Sequence, residues 1–381
     1  MFQLTQGQYD AIKLAIEWYY NPRKKPAFFL CGSAGTGKST VAKTAVSMMG
    51  LSPYQVLYVT FTGKAASVLR AKGNVANTIH STFYRVFTFP DGRTGFTKRK
   101  SIPSTIKLIV VDEVSMVNEH MMNDLKTFGI PLLCLGDPGQ LPALFYPNIG
   151  VEHPDVFLTE VMRQKGESGI LILATMARND VPISFGQYKE SKVIHIGEIH
   201  DIEKYDMILC WSNKTRKELN ALIRKRKGYT SVYPVQGEKL VCLKNNYTYE
   251  ITSNDLDLVP VNGMEMRALS DARESSVDMD YLIMEYAPDY VKDKNFSSPI
   301  SKVPFEAYKT MESYEDKLIN IPPFQVILDF GYALTVHKSQ GSAWENVLII
   351  DEYGGPKDDY KKWLYTGITR ATESVTIARD I

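Results

Sequence analysis

Gly32, Gly37, Lys38 and Ser39 fall in the order G-x-x-x-x-G-K-S within FFLCGSAGTGKST, residues 28–40. The spacing suits a polyanion. Glycines at 32, 35 and 37 let backbone N–H groups approach phosphate oxygens, and a helix opening near Lys38 adds the positive end of its dipole. Lys38 would reach the β- and γ-phosphates as a point charge and the hydroxyl of Ser39 would hold a magnesium ion, with Gly35, Thr36, Gly37 and Thr40 completing the cradle. The competing reading is a glycine-rich turn in a metabolic α/β enzyme without a nucleotide. Against it stands the setting: the apolar run 28–31 reads as a buried strand, and an amphipathic segment opens straight after the glycines.

Other groups suited to a triphosphate follow apolar runs. Asp112 and Glu113 close the run 108–111, where an aspartate would hold magnesium and a glutamate would polarise an attacking water. Taken alone such a pair is usually solvated; the phosphate loop upstream changes that. Gln140 sits in Gly136-Asp137-Pro138-Gly139-Gln140-Leu141-Pro142, a tight loop that could present its amide to the γ-phosphate or be merely a turn. Gln8, in the first turn of a helix over residues 7–20 with Thr5 as cap, has an amide able to pair with an adenine edge, or with water.

These groups need elements to hold them. Four short apolar runs, 28–31, 56–60, 108–111 and 132–135, each give way at once to polar residues, which predicts a parallel sheet with its functional loops on one carboxyl-edge rim. Phe83, Tyr84, Phe87, Phe89 and Phe96 crowd a segment broken by Pro90-Asp91-Gly92, which predicts an aromatic β-hairpin. Residues 170–177 read as the helix closing the first domain. A second parallel sheet is expected from runs 207–211, 326–328, 347–350 and 375–378. The helix capped at Asn213 carries Lys214, Arg216, Lys217, Arg224, Lys225, Arg226 and Lys227, a pattern that reads as a solvated basic face. From 237 to 323, alternation and Asn-rich turns predict a small β-barrel inserted in the second domain.

Length and composition set the frame. A chain of 381 residues with 44% apolar content supports two or three domains. A net charge of +1 from 44 basic and 43 acidic residues means that any nucleic-acid surface must be local. Cys31, Cys134, Cys210 and Cys242 lie singly in apolar runs, so they read as small buried hydrophobes in a reducing compartment. Neither a secretory leader nor a membrane span is expected.

In order along nearly the whole chain, the motifs resemble those of superfamily 1 DNA helicases, in the RecD-like (1B) branch that includes the bacteriophage Dda helicase. LTQGQ (4–8) resembles the Q motif, GSAGTGKST motif I, TFTGKAA (60–66) motif Ia, TIHS (78–81) motif Ib, VDEVSM motif II and GDPGQLP motif III. LTEVMRQ (158–164), TVHKSQGSAWENV (335–347) and YTGITRA (365–371) resemble motifs IV, V and VI.

The resemblance implies an α/β fold of two RecA-like domains, 1–180 and 181–236 with 324–381. A β-hairpin pin is inserted at 82–106 and an SH3-like barrel at 237–323. It implies that Arg370 is an arginine finger for the γ-phosphate and Arg163 a second cation there. Thr60, Lys64, His80, Thr335, His337 and Lys338 would face single-stranded DNA, with Phe96 the stacking tip of the pin. The implied activity is ATP- and Mg²⁺-dependent 5′ to 3′ movement on single strands and unwinding of forked or tailed duplexes. It would belong to a monomer in a bacterial or phage-infected cytoplasm, with a single-stranded-DNA-binding protein as a compatible partner. One departure is Ala343, where many relatives carry an acidic residue, so a ribose contact there is left unassigned. A translocase that strips proteins from single strands is an alternative. A non-catalytic DNA-binding subunit is another, disfavoured because Lys38, Asp112, Glu113, Gln140 and Arg370 are all present.

Overall fold

The computed structural model describes residues 4–21, 23, 25–71, 73–88, 94–142, 149–160, 168–246, 260–276, 280–289 and 295–380. The chain divides into two compact units, Met1–Arg85 with Phe96–Glu167, and Val86–Gly95 with Ser168–Ile381.

Along the chain α1 (Gln6–Tyr20), β1 (Ala27–Gly32), α2 (Lys38–Met48), β2 (Val56–Thr60), α3 (Gly63–Ala71), β3 (Ala76–Thr78) and α4 (Ile79–Phe83) of the first unit precede a two-stranded ribbon of β4 (Tyr84–Thr88) and β5 (Thr94–Lys98), whose residues from 86 to 95 are grouped with the second unit. Then come β6 (Leu108–Val111), α5 (Glu119–Lys126), β7 (Leu132–Gly136), α6 (Ile149–Glu152) and β8 (Val156–Leu158). Six strands form one sheet in the order β3-β2-β6-β7-β1-β8, all parallel. Every residue of β1, β6 and β7 is buried, as a sheet covered on both faces requires. One face packs on Ala11, Ile12 and Ala15 of α1 and Val41, Ala42 and Ala45 of α2; the other on Met121, Met122 and Leu125 of α5 and on Ile79 and Phe83 of α4. Cys31 pairs with Gly136 and Gly32 with Leu158, so β1 delivers its glycine loop directly beside the end of β7.

The second unit opens with α7 (Gly169–Arg178), β9 (Gly186–Tyr188), β10 (Ser191–His195), β11 (Met207–Cys210) and α8 (Asn213–Arg226). β12 (Lys239–Cys242), β13 (Glu265–Ala268), β14 (Arg273–Glu274), β15 (Tyr281–Ile283), β16 (Tyr286–Pro288), β17 (Ile300–Ser301), α9 (Val303–Thr310) and β18 (Leu328–Phe330) follow. It ends with β19 (Ala333–Thr335), β20 (Trp344–Ile350), α10 (Lys357–Ile368) and β21 (Ala371–Arg379). Its main sheet runs β19-β11-β20-β21-β10-β9, parallel except for β9 at the edge. Antiparallel sheets of four strands, β16-β13-β12-β18, and three, β14-β15-β17, draw their strands from the segment expected to be an inserted barrel, except β18, which lies beyond its end at 323. Leu240, Met266 and Phe330 from the four-stranded sheet share one core with Ile208, Leu348 and Ala378 from the parallel one.

Three expectations are corrected. The helix expected to close the first domain, α7, buries Ile170, Leu173, Ala174 and Ala177 and packs on α10 and β21 of the second unit. The run 326–328 does not join the parallel sheet: Leu328 and Phe330 lie in β18, antiparallel to β12, and Ala333–Thr335 takes the place beside β11. Gly331 makes the passage from β18 to β19, where a Cβ would stand 2.8 Å from the Leu240 carbonyl. The basic face of α8 is not wholly solvated, because Arg216, Lys217 and Arg224 are buried. Arg224 pairs with Glu238 at 2.7 Å, Arg216 with Asp329, and the Lys217 ammonium donates to the Glu312 carbonyl. All four cysteines are buried free thiols, Cys31 pushed up to about 12 by burial. No described helix is long and apolar enough to cross a membrane.

Candidate nucleotide site and nucleic-acid rim

Between β1 and α2 the loop turns through Gly35 at φ 79° and Gly37 at φ 80°, left-handed angles that favour glycine. Gly32 is held for another reason: a Cβ there would sit 2.7 Å from the Thr36 hydroxyl and 2.8 Å from the Leu158 carbonyl. Thr36 is fully buried and donates to the Ser33 carbonyl at 2.9 Å. The Lys38 ammonium donates to the carbonyls of Gly32 (2.7 Å) and Ser33 (3.0 Å), so it lies over the loop. No side chain caps α2, so its first-turn amides, with the hydroxyls of Ser39 and Thr40, remain for an anion.

Gln8 takes a different position from the one expected. It is 2% exposed, its Oε1 accepts from the Thr5 amide at 3.1 Å, and its Nε2 donates to the Thr36 carbonyl at 2.9 Å. Both ends of the amide are engaged: it caps α1 and ties that helix to the phosphate loop. A sequence shows the capping box, Thr5 with Gln8, but not the loop 28 residues away.

Asp112 follows β6, its amide bonded to the Val59 carbonyl at 2.9 Å, and its Oδ1 accepts from the Glu113 amide at 2.9 Å. Glu113 holds φ 52°, a strained angle for a side-chain-bearing residue, which turns the chain sharply at the sheet rim. Ser115 then latches this turn to the loop after β7: its hydroxyl donates to the Asp137 carbonyl at 3.1 Å and accepts from the Asp137 amide at 3.2 Å. Asp137, 1% exposed, accepts from the Gly139 amide at 3.0 Å, and Gln140 is 6% exposed at the same loop. Neither Ser115 nor Asp137 stood out in the sequence, since their partnership spans 22 positions. A magnesium ion would find a hydroxyl at Ser39 and a carboxylate at Asp112. Among the described residues no cluster of three His, Cys, Asp or Glu could hold a metal.

On the same unit, Thr60 does not reach the surface; it is fully buried and spends its hydroxyl on the Thr62 carbonyl at 2.7 Å. Lys64 is half-buried in the first turn of α3. His80 lies among Phe61, Tyr84 and Phe96, with ring centroids at 5.8, 5.7 and 5.3 Å, and burial lowers its pKa. Phe96, 41% exposed, is on the stem strand β5 rather than in the turn, because Thr94–Lys98 pairs with β4. Residues 89–93, where the turn was expected, lie outside the described residues, as does Arg163.

In the second unit Thr335 ends β19 and caps a short turn, Val336–Ser339, its hydroxyl accepting from the Lys338 amide at 3.4 Å. His337 packs on Trp211 at 5.1 Å, its pKa lowered by burial. Burial, with Arg216 nearby, brings Lys338 down to about 8. Arg370 ends the turn between α10 and β21 and is 5% exposed. Its guanidinium donates to the carbonyls of Thr366 (3.1 Å) and Ser342 (3.2 Å) and to the Thr369 hydroxyl (3.1 Å), which fixes it to the segments resembling motifs V and VI.

A glycine loop feeding a helix from a parallel sheet, an acidic pair at the end of the strand two places along that sheet, and a second α/β unit define a P-loop nucleotide-binding fold. The chain belongs to the AAA domain family, whose profile matches residues 3–199. A UvrD-like helicase C-terminal domain profile matches residues 330–378. The ATP-dependent RecD2 DNA helicase of Deinococcus radiodurans is 26% identical over 357 residues, covering 90% of this chain and 46% of its own. The chain spans less than half the length of the first curated relatives that it matches. Among solved structures, the Pif1 helicase from Candida albicans is 16% identical with a TM-score of 0.54, over 99% of this chain and 95% of that one. The Bacteroides Pif1 helicase in complex with ADP-AlF3 and single-stranded DNA is 16% identical with a TM-score of 0.54, over 100% of this chain and 93% of that one. At that identity the likeness establishes the shared fold of two α/β units.

Proposed function

We propose that the chain is the motor of an ATP-dependent DNA helicase of superfamily 1B, moving 5′ to 3′ on single-stranded DNA and opening forked or tailed duplexes. The observation that carries this is the placement of the phosphate loop, Asp112 with Glu113, and Gln140 after β1, β6 and β7, neighbouring strands of one sheet, in a chain whose second unit holds Arg370 beside motif V. Lys38 and the α2 amides bind the β- and γ-phosphates, Glu113 takes the proton of the attacking water, and Gln140 orients that water. Mg²⁺ held by Ser39 and Asp112 would neutralise charge on the β- and γ-phosphate oxygens. A guanidinium from Arg370 arriving at the γ-phosphate is worth roughly 10³ to 10⁵ in rate, which would couple closure of the two units to hydrolysis. Lys64, His80, Thr335, His337 and Lys338 supply backbone contacts that carry no sequence information. Kinship with the Dda helicase, action as a monomer, cooperation with a single-stranded-DNA-binding protein and a place in a bacterial or phage-infected cytoplasm belong to the same reading.

The test pairs two assays on one preparation. ATP hydrolysis is expected to be stimulated by single-stranded DNA and abolished in Lys38→Ala. Duplexes with a 5′ tail are expected to open, whereas opening only of 3′-tailed duplexes would refute the polarity, and undiminished hydrolysis by Lys38→Ala would refute the site.

A further inference from the structure

The strands β19, β11 and β20 are adjacent, so the loops that follow them stand side by side on the rim of the second unit. The first bears His337. The second begins at Trp211 and the third holds Tyr353, neither of which has a role so far. Trp211 lies 5.1 Å from His337 and 4.4 Å from Tyr353, centroid to centroid. These three rings are only partly buried, whereas Trp363, 6.4 Å from Trp211 and edge-on to it, is fully buried and backs the group. The loop after β20 lies against the indole so closely that a Cβ at Gly355 would stand 2.9 Å from Trp211 Cη2. The indole is therefore held in one orientation from several sides.

What this rim offers a ligand is aromatic surface, not anion-binding amides. The Glu352 carboxylate already accepts from the amides of Trp211 (2.8 Å) and Ser212 (3.0 Å), and the Ser212 hydroxyl, rather than Asn213 as expected, caps α8 by accepting from the Thr215 amide at 3.0 Å. Burial keeps the His337 imidazole on its neutral side, suited to ring contact.

We infer that Trp211 and Tyr353, together with His337, form a stacking shelf for one nucleobase of the bound strand, so that the motor senses an intact base as well as the phosphate backbone. The inference rests on the nucleic-acid reading above. A shelf of this kind tolerates any base, since each has a π face, but not its removal.

The experiment measures the concentration of oligonucleotide that half-activates ATP hydrolysis, using oligo-dT and an abasic strand of equal length at one salt concentration. The unaltered protein is expected to need more abasic strand, by roughly 5- to 150-fold for each stacking step lost. Trp211→Leu is expected to shrink that ratio at least about fivefold by weakening activation by oligo-dT alone, while Trp211→Phe keeps it. Tyr353→Leu is expected to reduce the ratio too, which decides the matter should leucine at 211 fail to fold. Equal weakening on both strands would show that Trp211 only packs under His337 and would overturn the shelf; so would a ratio near one in the unaltered protein. Absence of any activation by oligo-dT would instead refute the nucleic-acid reading itself.

Discussion

Asp329→Asn is expected to unfold the second unit at a much lower temperature. Asp329 and Arg216 are both fully buried. The carboxylate receives Arg216 Nη1 and the Tyr314 hydroxyl on Oδ2, and the Tyr308 hydroxyl (2.9 Å) and Phe330 amide (2.7 Å) on Oδ1. Neutralising it strands the guanidinium. The remaining carboxylate, Glu315, is 3.7 Å away with a side chain 31% exposed, so water screens it. Breaking a buried pair from one side costs about 3–5 kcal/mol. For a unit of this size each kcal/mol moves the midpoint by about 2–4 °C, so the shift is roughly 6–20 °C. Intrinsic fluorescence reports it well, since Trp211, Trp344 and Trp363, three of the chain's four tryptophans, lie in that unit. The double replacement Arg216→Met with Asp329→Leu should recover only part of the loss, because it removes the stranded charge but leaves the Tyr308 and Tyr314 hydroxyls and the Phe330 amide without their acceptor. A single Asp329→Asn melt within about 2 °C of the unaltered protein would refute the reasoning.

Three further outcomes follow. Lys338 has a pKa lowered to about 8, so it is charged below that pH and neutral above it. Affinity for single-stranded DNA should therefore fall as pH rises through about 8, and Lys338→Arg should flatten that profile; an unchanged profile would remove Lys338 from the interface. The same shift should make folding stability rise between about 8 and the ordinary lysine value of 10.5, where the unfolded chain binds the extra proton. Phe96→Ala, which removes an exposed ring packed on His80, should spare DNA-stimulated ATP hydrolysis and slow duplex opening in a stopped-flow assay, whereas normal opening would move the pin role elsewhere.

The parts of this site legible in the sequence are those whose physics is local. Gly32 to Ser39 declare themselves because a strand, a left-handed turn and a helix start must follow within a few residues. Asp112 and Glu113 do so because they end a fully buried strand. What was hidden is partnership across the chain. The buried cations of α8 look like a solvated face until Asp329 and Glu238 are brought to them, 113 and 14 positions on. The run 326–328 gave no sign of its sheet, since a short apolar stretch fits a parallel core strand or an antiparallel one equally well. Thr60 matched its motif yet is buried, because it still pairs with Thr78 in the sheet and its hydroxyl is spent on the Thr62 carbonyl.

The measurement closest to the centre of the account is single-turnover ATP hydrolysis by Arg370→Ala at saturating single-stranded DNA, with nucleotide affinity determined alongside. A loss of roughly 10³-fold or more in the hydrolysis rate, with ATP still bound within a few fold of normal, is expected if this guanidinium meets the developing charge. Hydrolysis within about tenfold of the unaltered protein would contradict it and leave Arg370 as a brace between the turns around Ser342 and Thr366.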